Sequence, residues 1–357
     1  MQFKINLTGL FLVILCQISA QKIEWNANLN YFFDNTEFAR SAINKDQTMT
    51  GVHFTPEIGY IVDSIHSIFI GSDLLKIAGS PNVIDNIQPI AYYRYQSPKV
   101  SLYAGAFKRS ELLANYSDLF FQDSINFFRP TITGIFWQVG RKQSYFNLWL
   151  DWTGHQSATT RETFFVGASA HRQFGMFFSD FQSYLYHFAI TRPNPLNFNV
   201  CDNLLAHWSI GVNYSNQTGI DTLVCAVGVL AGGERDRGLV NGSYFPIGAV
   251  IRLNAEYKGF GTENMLYFGN ARDVFYNNYN NALYWNNPFL RSGFYLQSKF
   301  YLDVIRNQSV NGRINLNMHF SEGKLMFEQV FTLKTMLNNL AKLNHKSKPT
   351  FMTNWFK

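Results

Sequence analysis

Along several long stretches of this chain, apolar and polar side chains alternate one for one. Ile23, Trp25, Ala27, Leu29, Tyr31 and Phe33 alternate with Glu24, Asn26, Asn28 and Asn30. Ile247, Ala249, Ile251, Leu253 and Ala255 alternate with Gly248, Val250, Arg252, Asn254 and Glu256. The rhythm returns at Phe294, Leu296, Phe300, Leu302 and Val304, and again at Ile314, Leu316, Met318 and Phe320. Successive side chains on a strand point to opposite faces, so a period of two predicts strands with one greasy side and one polar side.

The first twenty residues follow a different pattern. Lys4 precedes the apolar run Leu10-Phe11-Leu12-Val13-Ile14-Leu15, and Ile18-Ser19-Ala20 brings small residues ahead of polar Gln21. This reads as a secretory signal peptide over residues 1–20, with cleavage expected after Ala20. Leu15 is too large to precede a lipidated cysteine at Cys16. No later stretch reaches the roughly twenty apolar residues a membrane helix needs. The longest candidate, Thr222 to Gly233, stops at Glu234-Arg235. A closed barrel is the other way to satisfy every backbone group in lipid.

Composition favours that barrel. Aromatic residues make up 17% of the chain and charged residues only 15%, against about 25% charged in an average globular chain. Mean hydropathy is −0.12, too low for a bundle of membrane helices. Strands with one lipid face and one wet face produce this combination. The net charge of +6 is spread along the chain with no basic run, so nucleic acid is not an expected partner. Cys201 and Cys225 fall at opposite ends of neighbouring expected strands and are read as free thiols.

The fold class is therefore read as all-β, a transmembrane antiparallel up-and-down β-barrel of about 16 strands, within a range of about 14–18, since such barrels carry even strand numbers. The strands are placed near 22–33, 48–62, 65–77, 87–97, 99–109, 130–140, 144–154, 162–174, 176–190, 203–216, 222–233, 243–257, 260–271, 291–306, 311–321 and 324–336. Their connections alternate in length. Long ones at 34–47, 78–86, 110–129, 191–202 and 272–290 are expected outside the cell; short ones at Asp63-Ser64, Ser97-Pro98 and Gly175 are expected as periplasmic turns. Trp25, Tyr31, Tyr60, Trp208, Tyr214 and Tyr257 on the greasy faces suit an interfacial girdle. A soluble stack of β-sandwiches would also alternate, but no Pro, Ser or Gly-rich linker divides residues 21–337. Residues 338–357, with Lys342, Lys346, Lys348 and Lys357, are set apart as a basic C-terminal extension.

Four features could carry function. Arg252, Glu256, Lys299, Asp303, Arg313, His319 and Glu328 share the polar face and are expected to line a lumen. About sixteen strands can enclose an aqueous channel, and charged linings set selectivity. The connection from Ser110 to Pro130 carries Leu112-Leu113, Tyr116, Leu119-Phe120-Phe121 and Phe127-Phe128, too apolar to wave in water. It is expected to fold inward as a constriction, with Asp118, Asp123 and Arg129 as polar contacts. The external stretch containing Tyr276, Tyr279, Tyr284 and Trp285 places aromatic planes beside asparagines, a pairing suited to sugars and equally to a girdle. Finally, His155-Gln156-Ser157 resembles the His-x-Ser of an outer-membrane phospholipase, in which a histidine activates a serine. Its flanking residues do not match that enzyme, and His-x-Ser is a short motif, so catalysis is the least favoured expectation. The remaining histidines are scattered, and neither a metal site nor a cofactor is expected.

The run Asn115-Tyr116-Ser117-Asp118-Leu119-Phe120-Phe121-Gln122-Asp123-Ser124-Ile125-Asn126-Phe127-Phe128-Arg129-Pro130, followed by Leu148-Trp149-Leu150-Asp151-Trp152-Thr153-Gly154, resembles outer-membrane barrels of Bacteroidota-type bacteria. The resemblance implies a location and assembly by the barrel-assembly machinery, with outer-membrane lipid as neighbour, and no chemistry. The leading expectation is porin-like passage or binding of a small polar solute, glycan fragments included. The alternative is a structural or surface-adhesion barrel with a plugged lumen, and the third is the His155/Ser157 lipid hydrolase.

Overall fold

The computed structural model describes residues 22–339, apart from 39–40, 64, 114–115, 142, 216, 218, 276–285 and 308. The expected signal peptide and nearly all of the expected C-terminal extension lie outside these residues. Sixteen strands close into an antiparallel barrel. In chain order they are β1 (Lys22–Glu37), β2 (Gln47–Ile61), β3 (His66–Ile77), β4 (Asn86–Gln96), β5 (Val100–Lys108), β6 (Thr131–Arg141), β7 (Ser144–Gly154) and β8 (Thr163–Phe174). The second half runs β9 (Phe177–Phe188), β10 (Cys201–Asn213), β11 (Thr222–Asp236), β12 (Ile247–Tyr257), β13 (Phe260–Gly269), β14 (Phe294–Arg306), β15 (Val310–Ser321) and β16 (Lys324–Asn338). Each strand pairs with its sequence neighbours, and β1 closes the ring against β16, from Asn26 opposite Asn338 to Glu37 opposite Phe327. Closure leaves no unpaired edge, which is what a sheet in lipid requires.

The sequence map needs three adjustments. The expected strand at 243–257 is broken: Ser243–Tyr244 pairs antiparallel with Arg235 and Glu234 near the end of β11, and β12 starts only at Ile247. Pro246 stands between them and has no N–H to donate to a ladder. β1 continues to Glu37, past the expected end at 33, because Asp34, Asn35 and Thr36 pair on both sides. β16 continues to Asn338, and Asn339 still donates to Ile23 O at 2.7 Å, so the barrel takes in the first residues assigned to the extension.

Turn chemistry fits the hairpins. Lys258-Gly259 and Glu322-Gly323 have positive φ at both central positions, the requirement of a two-residue turn whose twist matches its strands. No helix among the described residues is long and apolar enough to cross a membrane. Among the described residues, Cys201 and Cys225 are free thiols.

Side-chain direction follows the alternation. Leu29, Ile58, Ile70, Ile251 and Ile314 stay exposed on the outer surface, as lipid-facing residues would. Trp25, Tyr60 and Tyr257 are exposed near the short-turn end, while Trp208 sits nearer the middle of β10. The inward face is less polar than the alternation implied. Phe69, Tyr92, Phe107, Phe136, Trp149, Phe165, Tyr184, Tyr267 and Tyr295 are buried there in one cluster. Strands such as β8, with Phe164, Phe165 and Val166 in sequence, are apolar on both faces: Phe165 is buried inside, and Val166 is exposed on the outer surface.

Candidate functional site

What covers the inner face is the connection between β5 and β6. It opens with the short helix α1 (Arg109–Leu112), ends with α2 (Ile125–Phe128), and is pinched at its neck where Arg109 N donates to Pro130 O at 2.7 Å. The Arg109 guanidinium pairs with Asp151 of β7 and donates to Arg129 O at 3.0 Å. Asp151 also accepts from Thr133 N at 3.1 Å, so one buried carboxylate joins the neck to two strands.

Beyond the neck the segment crosses the interior. Tyr116 lodges against β7, β8 and β9. Its hydroxyl accepts from Trp149 Nε1 at 2.7 Å and lies 3.0 and 3.1 Å from the carbonyls of Ala168 and Ser183. The Trp149 indole has room because residue 167 is glycine; a Cβ there would come within 2.1 Å of the ring. Leu119 and Phe120 are fully buried, and Phe120 meets Tyr184 edge-on at 5.6 Å. On the other side Phe127 stacks on Phe32 of β1, with centroids 4.1 Å apart. The segment thus touches walls on both sides of the barrel. Burial of its apolar residues, at about 1.5–3 kcal/mol per large side chain, holds it there.

A charged clamp adds direction. Lys299 Nζ of β14 lies 2.7 Å from Asp118 and 3.2 Å from Asp123. The inward-folding segment and the lumen wall, read separately from the sequence, meet at this lysine. Lys299 pulls the Asp123 carboxyl down, but burial and the nearby Asp118 and Glu328 charges outweigh it and leave the group above the usual range. The segment is also tied to the β13–β14 connection, where Gln122 Nε2 donates to Asn286 O at 2.6 Å and Asn287 Nδ2 to Asp118 O at 2.8 Å.

The other expected lumen residues also point inward, and most are paired with one another. Arg313 and Arg306 both bind Asp303, at 2.6 and 2.7 Å, and Arg306 reaches Glu256 at 2.6 Å. Arg252 donates to Ser209 Oγ at 3.0 Å and to Asp180 at 3.3 Å. His319 Nε2 lies 3.3 Å from Glu328, which also accepts from Asn317 Nδ2 at 2.6 Å, and His319 Nδ1 lies 2.8 Å from the Tyr295 hydroxyl. Arg129 stays apart from this group and donates to Thr153 O on β7.

Between the clamp, β1 and β14–β16 a pocket opens toward the long-loop end. Asp34, Asp118, Asp123, Lys299, His319 and Glu328 supply its charges, and Phe38, Phe121, Phe289 and Tyr295 supply aromatic faces. Sequence reading missed Asp34, Thr36, Ser124 and Asn287. The signal for the first two was present, since Phe32, Asp34 and Thr36 continue the inward face of β1. Ser124 and Asn287 sit in connections, where no periodicity marks a direction.

The structure does not bring His155 and Ser157 together. The Ser157 hydroxyl accepts from the backbone N–H groups of Thr159 and Thr160, and no hydrogen bond joins the two residues among those described. A second His-x-Ser pair, His319 and Ser321, faces inward on β15, with the Ser321 hydroxyl fully buried. Tyr276, Tyr279, Tyr284 and Trp285 lie outside the described residues. No group of three metal-ligating side chains occurs among the described residues.

A closed sixteen-strand barrel with a lipid-facing apolar belt and an inward-folded segment defines an outer-membrane β-barrel with a porin-like fold. Similar folds are those of a loop-deletion mutant of OmpT, an outer membrane protein of Vibrio cholerae (TM-score 0.54, 8% identity, covering 89% of this chain and 100% of that one), and OmpF of Salmonella typhi in complex with daunomycin (0.52, 9%, 89% and 98%). OprE of Pseudomonas aeruginosa is similar at 0.50 and 11% identity, over 89% of this chain and 99% of that one. The chain belongs to the lipid A 3'-O-deacylase-type family, whose model matches residues 16–342. No curated protein matches it.

Proposed function

We propose that this is a solute-binding outer-membrane barrel, its long-loop end outward, which takes a small polar solute into the pocket beside the in-folded segment. The observation that carries this reading is the clamp of Lys299 on Asp118 and Asp123, which holds the segment across the lumen at the floor of an open, charged pocket. A pocket with a few convergent polar groups and aromatic faces has the makeup of a small-molecule site. Binding comes first, and free diffusion through a wide pore is not what this interior favours. The protein purified in detergent and placed in planar bilayers is expected to conduct far less than an unobstructed sixteen-strand pore. A large, steady conductance from the unaltered protein would sink the reading.

The family membership favours a second reading, removal of an acyl chain from lipid A. Ester cleavage needs a nucleophile beside a base. Ser321 stands two residues from His319, and its buried hydroxyl has no hydrogen-bond partner. Both His319 ring nitrogens are already engaged, by Tyr295 and Glu328, so the pair would have to rearrange before reacting. Mass spectrometry of lipid A incubated with the purified barrel tests this. Loss of an acyl chain that Ser321→Ala abolishes supports the reading; unchanged lipid A removes it. Ser157→Ala is expected to leave any such activity intact, because that hydroxyl holds a turn.

A further inference from the structure

We infer that the solute is a compact organic cation carrying an ammonium group. The inference rests on the solute-binding reading and asks what charge the pocket accepts. Four carboxyl groups line it, those of Asp34, Asp118, Asp123 and Glu328, against Lys299, Lys45 and the imidazole of His319. The charge of Lys299 is taken up by Asp118 and Asp123. Lys45 belongs to the β1–β2 connection at the mouth and is exposed. The inner part of the pocket is left with the Asp34 and Glu328 carboxylates. Glu328 has Asn317 and His319 as donors. Asp34 is 1% exposed, shares a hydrogen bond with the Glu328 carboxyl beside it, and keeps its Oδ1 atom buried without a partner. The hydroxyl of Ser124, also lining the pocket and buried, is likewise unpartnered.

Buried polar atoms without partners are rare, because each costs the full desolvation of the group. An incoming N–H or O–H donor removes that cost at Asp34. The charge excess then discriminates among donors. An anion is repelled, a neutral polyol gains the hydrogen bonds alone, and an ammonium ion gains both hydrogen bonds and charge compensation. Phe38, Phe121, Phe289 and Tyr295 add aromatic surface to the lining, against which the carbon skeleton of an organic ligand can pack. Aromatic faces beside carboxylates suit an organic ammonium better than a bare metal ion, which wants a shell of oxygens.

Three sugars of one size separate the possibilities: glucosamine, glucose and glucuronate, titrated calorimetrically into the full-length protein in detergent. Glucosamine is expected to bind at least tenfold more tightly than glucose, with no heat from glucuronate. Asp34→Asn, close in shape, is expected to lower glucosamine affinity about tenfold, to the level of glucose. Equal binding of glucose, or preferential binding of glucuronate, would overturn the cation inference and leave the solute-binding reading standing. Silence from all three would count against both. Should Asp34→Asn fail to fold, the ranking of the three sugars on the unaltered protein still decides.

Discussion

Replacing Lys299 by Met will release the in-folded segment and raise single-channel conductance several-fold. The substitution keeps the length of the side chain and removes its charge. Asp118 and Asp123 are then left facing each other, with Glu328 nearby and the cation that balanced them gone. An exposed ion pair contributes up to about 1 kcal/mol, whereas removing one partner of a buried pair costs about 3–5 kcal/mol. This clamp lies between those limits, since the Lys299 side chain is 14% exposed and both aspartates are about a third exposed. Repulsion between the two carboxylates adds to the loss. The segment still has its aromatic contacts, so opening should be frequent and incomplete. The same variant should become sensitive to protease within residues 109–130 from the long-loop side. Unchanged conductance together with an unchanged cleavage pattern would show that packing alone holds the segment.

A larger effect on stability is expected at the neck. Arg109→Ala leaves Asp151 buried and unpaired, and Asp151 is the group that joins the segment to β7 and to Thr133 of β6. Both side chains of this pair are almost fully buried, at 4% and 2% exposure. Breaking such a pair from one side costs about 3–5 kcal/mol. The double replacement Arg109→Met with Asp151→Leu should be the milder change, because no uncompensated charge remains. Denaturant unfolding followed by heat-modifiable gel mobility would rank the three proteins. If Arg109→Ala unfolds at the midpoint of the unaltered barrel, the pair does not hold the neck.

The family name concerns lipid A, whereas the likeness to porins is one of fold. A barrel of this strand number is wide, so it either stays open or is filled. Here the segment between β5 and β6 folds into the interior and packs against both sides of it. The charges that face one another across the remaining space are already paired, at Asp303, Arg306, Arg313 and Glu256. They are poor candidates for a bound solute. Asp34, in the inner part of the pocket, is the better one.

Much of the fold was legible because alternation is a local property. Each of Ile23 to Phe33 and Ile247 to Ala255 declares its face from its immediate neighbours, and lipid on one side makes the pattern strict. Pro246 was also legible, as a residue that cannot donate to a ladder, but it was overlooked inside an otherwise regular run. Asp34 and Thr36 were passed over for a different reason. Polar residues after Phe33 look like the start of a loop, and only pairing with β16 and β2 shows that the strand goes on. The aromatic segment announced that it must be buried. Nothing in its sequence said which strand would receive Tyr116 or that Lys299, far along the chain, would meet Asp118 and Asp123.

By itself the sequence determined an alternating, one-side-apolar chain that must close on itself in lipid, an even strand number near sixteen, and an apolar segment unable to remain in water. These follow from period, composition and the need to pair every backbone group. The tertiary structure alone decided that the lumen is crossed, that the wall charges mostly neutralise one another, and that one carboxylate of β1 is left facing an open pocket. Such outcomes depend on which residues meet across the barrel, and contacts between residues hundreds of positions apart leave no mark on local periodicity.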